Sequence, residues 1–203
     1  MANPFQEIKA EAGGQNRSAD WYMKAVREYA NTINTPVEVF NSGIGEFVNT
    51  LDVGYMYMFR YKPKTAAKMK YYDTFPLELM SEPLPNGFSA INFHYLAPLV
   101  RADLLTKLLG RTRDEDINRE TKAASDWRII QNFMRFPEVR PSIKRYLVDQ
   151  MQGKMLKIHQ EHWRAAIMLP VHNFVGAGPS TVWRDSNKRP ERKPPTGGSL
   201  GGL

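Results

Sequence analysis

The stretch VGYMYMFRY, residues 53–61, decides the fold class. Val53, Tyr55, Tyr57, Phe59 and Tyr61 alternate with Gly54, Met56, Met58 and Arg60. Aromatic and β-branched side chains at a period of two fit a pleated strand, because successive Cβ atoms point to opposite faces. Both faces are largely apolar, so this strand is expected near the centre of a sheet and covered on both sides. Downstream, Phe75–Met80 reads as a second strand, with Pro76 placing its start at an edge or out of register because proline lacks a ladder donor. Phe88–Leu96 reads as a third, with Ile91, Phe93 and Tyr95 on one face and Asn92 and His94 on the other. Asn86-Gly87 between them is a turn signal, since both residues tolerate positive φ. Three strands in this order most simply form an antiparallel meander.

Working outward, the periodicity changes. Ser18 is placed to cap a helix carrying Trp21, Tyr22, Ala25, Val26 and Tyr29, which Asn34-Thr35-Pro36 stops. Pro98 opens a helix with Val100, Leu104, Leu105, Leu108 and Leu109 in a stripe, and Gly110 terminates it. The charged run RTRDEDINRETK, residues 111–122, reads as a solvated loop. Ser125 caps a helix with Trp127, Ile130, Phe133 and Met134 that Pro137 ends. Pro141 opens another with Ile143, Tyr146, Leu147 and Met151. KMLKI (154–158) and WRAAIMLP (163–170) read as a late strand pair that joins the meander. The expected fold is therefore α+β: a small antiparallel barrel-like sheet with inserted and flanking helices. A flexible N-terminal arm, residues 1–17, precedes a single core, residues 18–175. A basic Gly/Pro-rich tail, residues 176–203, follows. That tail is too poor in apolar residues to offset its ordering entropy when free, and Trp183 is its one anchor for a partner.

The chain has 203 residues and a formal net charge of +7, with a pI near 9.6. A basic balance suits an anionic partner. No cysteine is present, which excludes disulfides, thiolate nucleophiles and Cys-based zinc sites. No apolar run reaches the ~18–20 residues a membrane span needs. No signal peptide is expected, so synthesis in the cytoplasm follows and Asn16-Arg17-Ser18 carries no glycosylation meaning. His159 and His162, with Glu161 or His172, are the nearest approach to a metal-ligand set. They match no metalloenzyme motif, and a plain turn is the stronger reading. Asp114, Glu115 and Asp116 sit among Arg111, Arg113 and Arg119, a self-neutralised loop rather than positioned acid–base groups. GGSLGGL lacks the strand and the Lys-Ser/Thr of a phosphate loop. No catalytic residue, cofactor, metal or small-molecule substrate is expected, and the chain does not read as an enzyme.

One constellation remains. Arg60, Lys62, Lys64, Lys68 and Lys70 carry five positive charges with no acid among them, and Tyr61, Tyr71 and Tyr72 flank them. Charge that follows phosphates and rings that stack on bases make single-strand binding surfaces. The competing reading is that the tyrosines pack in the sheet and the lysines solvate a long hairpin loop. In the tail, Trp183, Lys188, Arg189, Arg192 and Lys193 suit contact with a protein neighbour or a phosphate backbone. Asp73, after the two tyrosines, is suited to hydrogen-bond the local backbone as the chain turns.

Three blocks stand out together: YMYMFRYKPKTAAKMKYYDTFPLELM, GFSAINFHYLAPLVRADLL and KRYLVDQMQGKMLKIHQEHWRAAIMLP. Their arrangement resembles a family of small virion structural proteins of large contractile-tailed bacteriophages. The resemblance covers residues 53–175 and rests on Tyr61, Pro63, Lys64, Tyr71, Tyr72, Asp73, Phe75, Pro76 and Leu77. It continues through Asn92, His94, Tyr95, Leu96, Pro98 and Arg101, then Arg145, Tyr146, Leu147, Trp163, Ala166, Leu169 and Pro170. Lys62 stands where the family has an acidic residue and Thr74 where it has a basic one, so a salt bridge there is not expected. The resemblance implies a virion location, in a tail, baseplate or head–tail junction or guarding packaged DNA ends. It implies other virion proteins as partners, with DNA as the alternative, and supplies no catalytic residues.

Overall fold

The computed structural model describes residues 4–13, 15, 17–29, 35–109, 119–137 and 139–187. In chain order the helices are α1 (Pro4–Ala12), α2 (Ala19–Tyr29), α3 (Pro36–Asn41), α4 (Pro98–Leu109), α5 (Arg119–Met134), α6 (Trp163–Ala166) and α7 (Pro179–Asn187). The strands are β1 (Gly45–Val48), β2 (Met56–Tyr61), β3 (Tyr72–Asp73), β4 (Leu77–Leu84), β5 (Gly87–Asn92), β6 (Ile143–Leu147), β7 (Met151–Ile158) and β8 (Phe174–Val175). Six strands form one antiparallel sheet in the order β1-β7-β2-β4-β5-β6, and β3 pairs with β8 apart from it.

The period-two pattern of β2 places two different cores. Tyr57, Phe59 and Tyr61 point to the inner face, with Met80, Phe88, Ala90, Tyr146 and Met155. Met56 and Met58 point to the outer face, where Leu77, Leu79, Ile91, Leu156 and Ile158 meet Val26, Val39, Leu104, Leu105, Ile130 and Trp163 from the helices. The inner cluster is largely aromatic. Phe88 stacks on Tyr146 with centroids 5.4 Å apart, and Tyr61 meets Tyr146 edge-on at 4.8 Å. Such pairs add ~0.5–1.5 kcal/mol each beyond their burial.

Register shifts at Met58/Arg60 and Met80/Glu82 bend the sheet, as bulges do by adding local twist. The curl carries β6 round toward β2, but the expected barrel does not close. β6 and β7 are joined by the 3-10 turn Val148–Gln150, and no ladder between them occurs among the described residues. Where a closing strand would offer a carbonyl, the Tyr61 hydroxyl accepts the Leu147 N–H at 3.2 Å.

Other expectations are corrected by tertiary packing. The helix expected from Pro141 is a 3-10 turn, Arg140–Ser142, followed by strand β6. The second edge of β5 needs a partner, and Tyr146 opposite Phe88 supplies it. WRAAIMLP is helix α6 and a turn, not a strand. Trp163, Ala165, Ile167 and Leu169 are buried at a spacing of two that mimics a strand, and Ala166, buried between them, breaks the alternation. β7 does join the meander beside β2, and its other neighbour is β1, whose sequence carries no strand signal. β5 stops at Asn92 because the Asn92 side chain accepts the His94 N–H at 2.8 Å and starts the turn Phe93–Tyr95. Such local side-chain bonds compete with ladders. Helix α5 begins at Arg119, so Ser125 lies inside it rather than capping it. Residues 4–12, assigned by composition to an arm, form α1 with Ile8 and Ala12 buried. Residues 179–187, assigned to the tail, form α7 with Val182 buried. Gly110 and the Asp114–Asp116 run lie outside the described residues.

The Asn86-Gly87 turn is where the sequence puts it, with a division of labour. Asn86 takes φ 61°, after a proline whose ring suits the preceding turn position. Gly87 is already the first residue of β5, and a Cβ there would lie 1.9 Å from the Tyr146 carbonyl oxygen. Gly87→Ala is therefore expected to cost about 1–3 kcal/mol through overpacking of the β5–β6 ladder. Asn86→Gly, which keeps the positive φ, is expected to stay within about 1 kcal/mol of the parent. Thermal melts of the two variants read the difference directly.

Candidate functional site

Asp73 ends the two-residue strand β3 and is fully buried. Its Oδ1 accepts the Phe75 N–H at 3.0 Å and the Asn173 N–H at 3.4 Å. Its Oδ2 accepts Asn92 Nδ2 at 3.4 Å and faces His94 Nδ1 at 2.6 Å. His94 is also fully buried, and its Nδ1 holds the proton of that bond when Asp73 is ionised. Burial alone would raise the Asp73 pKa. The attraction of His94 and the bonds from His94, Phe75 and Asn92 outweigh it, so the carboxyl sits below its ordinary value. Asn92 Nδ2 also reaches the Tyr146 hydroxyl at 3.1 Å, which links this cluster to the inner sheet face. On the other side, the His94 carbonyl accepts Arg101 Nη2 at 3.3 Å and Trp183 Nε1 at 2.8 Å. Arg101 is buried and donates further to the Leu96 and Ile167 carbonyls at 2.7 and 2.9 Å. Burial lowers its pKa to about 10, so it stays a cation at neutral pH.

A cleft of about 470 Å³ opens beside this cluster. Four tyrosines line it, Tyr61, Tyr72, Tyr95 and Tyr146, together with the cations Lys64, Lys144 and Arg145 and the edge of Asp73. The Lys144 ammonium lies 3.8 Å from the centre of the Tyr95 ring. Burial brings its pKa down to about 8, against the pull of Glu78. Glu78 sits on the same sheet face, opposite Asn92. It is fully buried, and neither carboxyl oxygen has a hydrogen-bond partner among the described residues. Burial drives its pKa far up, with Tyr146 and Lys144 lowering it and Asp73 raising it further.

The structure divides the residues singled out in the sequence. Lys64 and Tyr72 enter the cleft lining, and Lys62 and Lys68 are exposed on the same connecting segment. Arg60 is exposed with its guanidinium 5.3 Å from the Phe75 ring centre. Lys70 is tied to Asp185 of α7 at 2.6 Å. Tyr71 packs on Tyr95 and Phe174, at 6.0 and 6.5 Å, and serves the fold. Trp183 anchors α7 on its own chain. Lys188, Arg189, Arg192 and Lys193 lie outside the described residues. His159, Glu161, His162 and His172 do not form one site: Glu161 contacts His162 Nε2 at 3.3 Å and takes Lys9 at 2.7 Å, while the His172 ring lies against His94 with centroids 5.9 Å apart. Among the described residues no group of three or more metal-ligating side chains is arranged to hold an ion.

Sequence reading missed Lys144, Arg145, Tyr95 and Tyr146 as site residues. Three of them lie on β6, which Pro141 made look like a helix. The available signal was Lys144 and Tyr146 at a spacing of two.

A sequence model of the phage T4 terminal DNA protecting protein family matches residues 5–186, from the first helix through the last. A match of that extent makes the chain a bacteriophage protein. More narrowly, it belongs to the phage T4 terminal DNA protecting protein family. Comparison with curated proteins and with solved structures found no match. Among the described residues no helix is long and apolar enough to cross a membrane.

Two predictions concern the buried acids. Asp73→Ala strips His94, Asn92 and two backbone N–H groups of their acceptor, and should cost about 3–5 kcal/mol. Because the folded pKa is depressed, the stability Asp73 supplies is full above its ordinary value of 3.8 and lost as pH falls through the lower folded value. Acid titration of the parent followed by circular dichroism should show that loss. Glu78 has the opposite sign. Its folded pKa lies above the ordinary 4.5, so folding takes up a proton and the parent loses stability as pH rises from there. Glu78→Gln escapes that loss. Its melting temperature relative to the parent should be least favourable below pH 4.5, climb as pH rises from there, and level off above the raised folded value.

Proposed function

We propose that the chain is a non-enzymatic virion component that binds the ends of linear duplex DNA and shields them. The observation that carries this reading is the cleft, where three cations and four tyrosines converge beside the exposed Lys62 and Lys68. Membership of a family described by terminal DNA protection gives that chemistry its ligand. Lysine and arginine neutralise phosphates and release counterions, and tyrosine rings accept any base by stacking. Neither contact depends on sequence, as protection of a chromosome end requires. The His94–Asp73 pair is sealed from solvent and holds the fold together, which supports a binding role over catalysis. Other virion subunits are the second class of partner. Leu99, Trp127 and Phe136, on α4, on α5 and just after it, remain exposed and are suited to such contacts.

Filter binding of linear duplex across a salt series tests the reading. With about three to five phosphates neutralised, log affinity should fall against log salt with a slope near −3 to −5, at about −0.9 per phosphate. Combined Lys62→Ala, Lys64→Ala and Lys68→Ala substitutions should flatten that slope by about 2–3 and leave the melting temperature unchanged. Linear duplex with the protein bound should also resist an exonuclease that degrades it when bare. No binding at low salt sinks the proposal.

A further inference from the structure

We propose that the cleft between the Lys62–Tyr72 segment and β6 holds one unpaired terminal nucleotide, its base against the tyrosines and its phosphate on Lys144 and Arg145. This deepens the DNA-end reading and rests on it. A general basic face binds duplex anywhere along its length, so protection of ends needs a feature that an end alone can fill. The cleft has that character. Its volume, about 470 Å³, falls in the range of about 300–1,000 Å³ that holds single small ligands. It suits one mononucleotide and not a stacked base pair carrying two backbones.

The lining matches the two halves of a nucleotide. Tyr72, half-buried, presents ring surface and its hydroxyl, and the buried Tyr95, Tyr61 and Tyr146 form the floor behind it. Lys144 is already held over Tyr95. Among the described residues Arg145 makes one long bond, to the Pro85 carbonyl at 3.4 Å, and is otherwise exposed, which suits its donor fork to phosphate oxygens. The carboxylate in the lining, Asp73, has both oxygens engaged by N–H donors. Glu78, buried near Lys144 and Tyr146, is pushed by burial toward its uncharged form, which lessens the negative charge set against a phosphate.

End selection follows from the energetics of presenting a base. Pulling an internal nucleotide out of the stack costs a few kcal/mol, and least where pairing is already weak. A terminal pair frays readily and has a neighbour on one side only. Stacking on tyrosine returns ~1–3 kcal/mol per base, enough to hold a frayed end and too little to extract an internal base at leisure.

The test uses the full chain with two duplexes of equal length, one with an open end and one closed by loops at both ends. Each carries 2-aminopurine either at the outermost pair or in the middle. The open duplex should bind at least about tenfold more tightly, which is ~1.4 kcal/mol. The terminal fluorophore should change intensity and the central one should not. Tyr72→Ala and Arg145→Ala should bring the two affinities within about twofold of each other while binding to the closed duplex persists. Tyr72→Phe, which keeps the ring, should retain most of the preference and guards against a folding artefact. Free nucleoside monophosphate should compete with the open end and not with the closed duplex. Open ends with and without a 5′-phosphate distinguish a 5′ from a 3′ nucleotide as the occupant. Equal affinity for open and closed duplexes, or a silent terminal fluorophore, overturns the nucleotide pocket and leaves DNA binding standing. Failure to bind either duplex removes both.

Discussion

The Asp73 carboxylate is the constraint on which the rest of this structure depends. A buried carboxylate is tolerated only when its lone pairs are used, and here four N–H groups from four places in the chain point at two oxygens. Phe75 fixes the corner into β4. Asn173 fixes the return of the chain after α6 and with it the β3–β8 pair. Asn92 and His94 fix the end of β5. His94 then passes the order on, because its carbonyl receives both Arg101 from α4 and Trp183 from α7. One acid thus sets the relative position of a sheet, two helices and the segment that carries Tyr72.

The cleft is a consequence of the incomplete barrel. Two bulges curl the sheet far enough that Tyr61 of β2 meets Tyr146 of β6 at 4.8 Å, yet the chain passes from β6 to β7 through a 3-10 turn instead of a paired ladder. The opening left between β6 and the segment following β2 is lined by the side chains that would otherwise have been barrel interior. Tyr61, Tyr95 and Tyr146 stay buried at the floor of the opening, Tyr72 is half-buried at its side, and Lys64 and Arg145 are exposed at its rim.

The legible and illegible parts of the fold separate on physical grounds. β2 was plain in the sequence because it is buried on both faces and surrounded by turn signals, so its alternation is uncontaminated. The β4–β5 hairpin was plain because Pro85-Asn86-Gly87 leaves the backbone few choices. Helices α2 and α4 carry an apolar stripe and read correctly. β6 did not, since Ile143, Tyr146 and Leu147 satisfy helical spacing as well as strand spacing, and the deciding fact is a free edge on β5 that local sequence cannot show. α6 failed because Trp163, Ala165, Ile167 and Leu169 are apolar at a spacing of two that suits a strand, while the helix that holds them is a single turn, too short to show a stripe. In the site, the lysine and tyrosine run was visible, but its sorting into cleft residues (Lys64 and Tyr72) and packing residues (Tyr71 and Lys70) depends on long-range partners. Phe174, Tyr95 and Asp185 make that division.

The electrostatics of the cleft bind these themes together. Lysine and arginine attract phosphate wherever they lie, and a basic chain of this kind has many such places. What distinguishes this opening is the management of negative charge around it. Asp73 spends both oxygens on internal donors that favour its charged form, and burial pushes Glu78 toward its uncharged form. Lys144, lowered to about 8 by the same burial, keeps its proton at neutral pH and would hold it more firmly beside a phosphate. An anion arriving there meets a partly desolvated Lys144, the exposed Lys64 and Arg145, and carboxyls that are either engaged or pushed toward neutrality. Such a site strengthens attraction without adding charge to the surface, and it does so where the cleft meets the edge of the aromatic inner core.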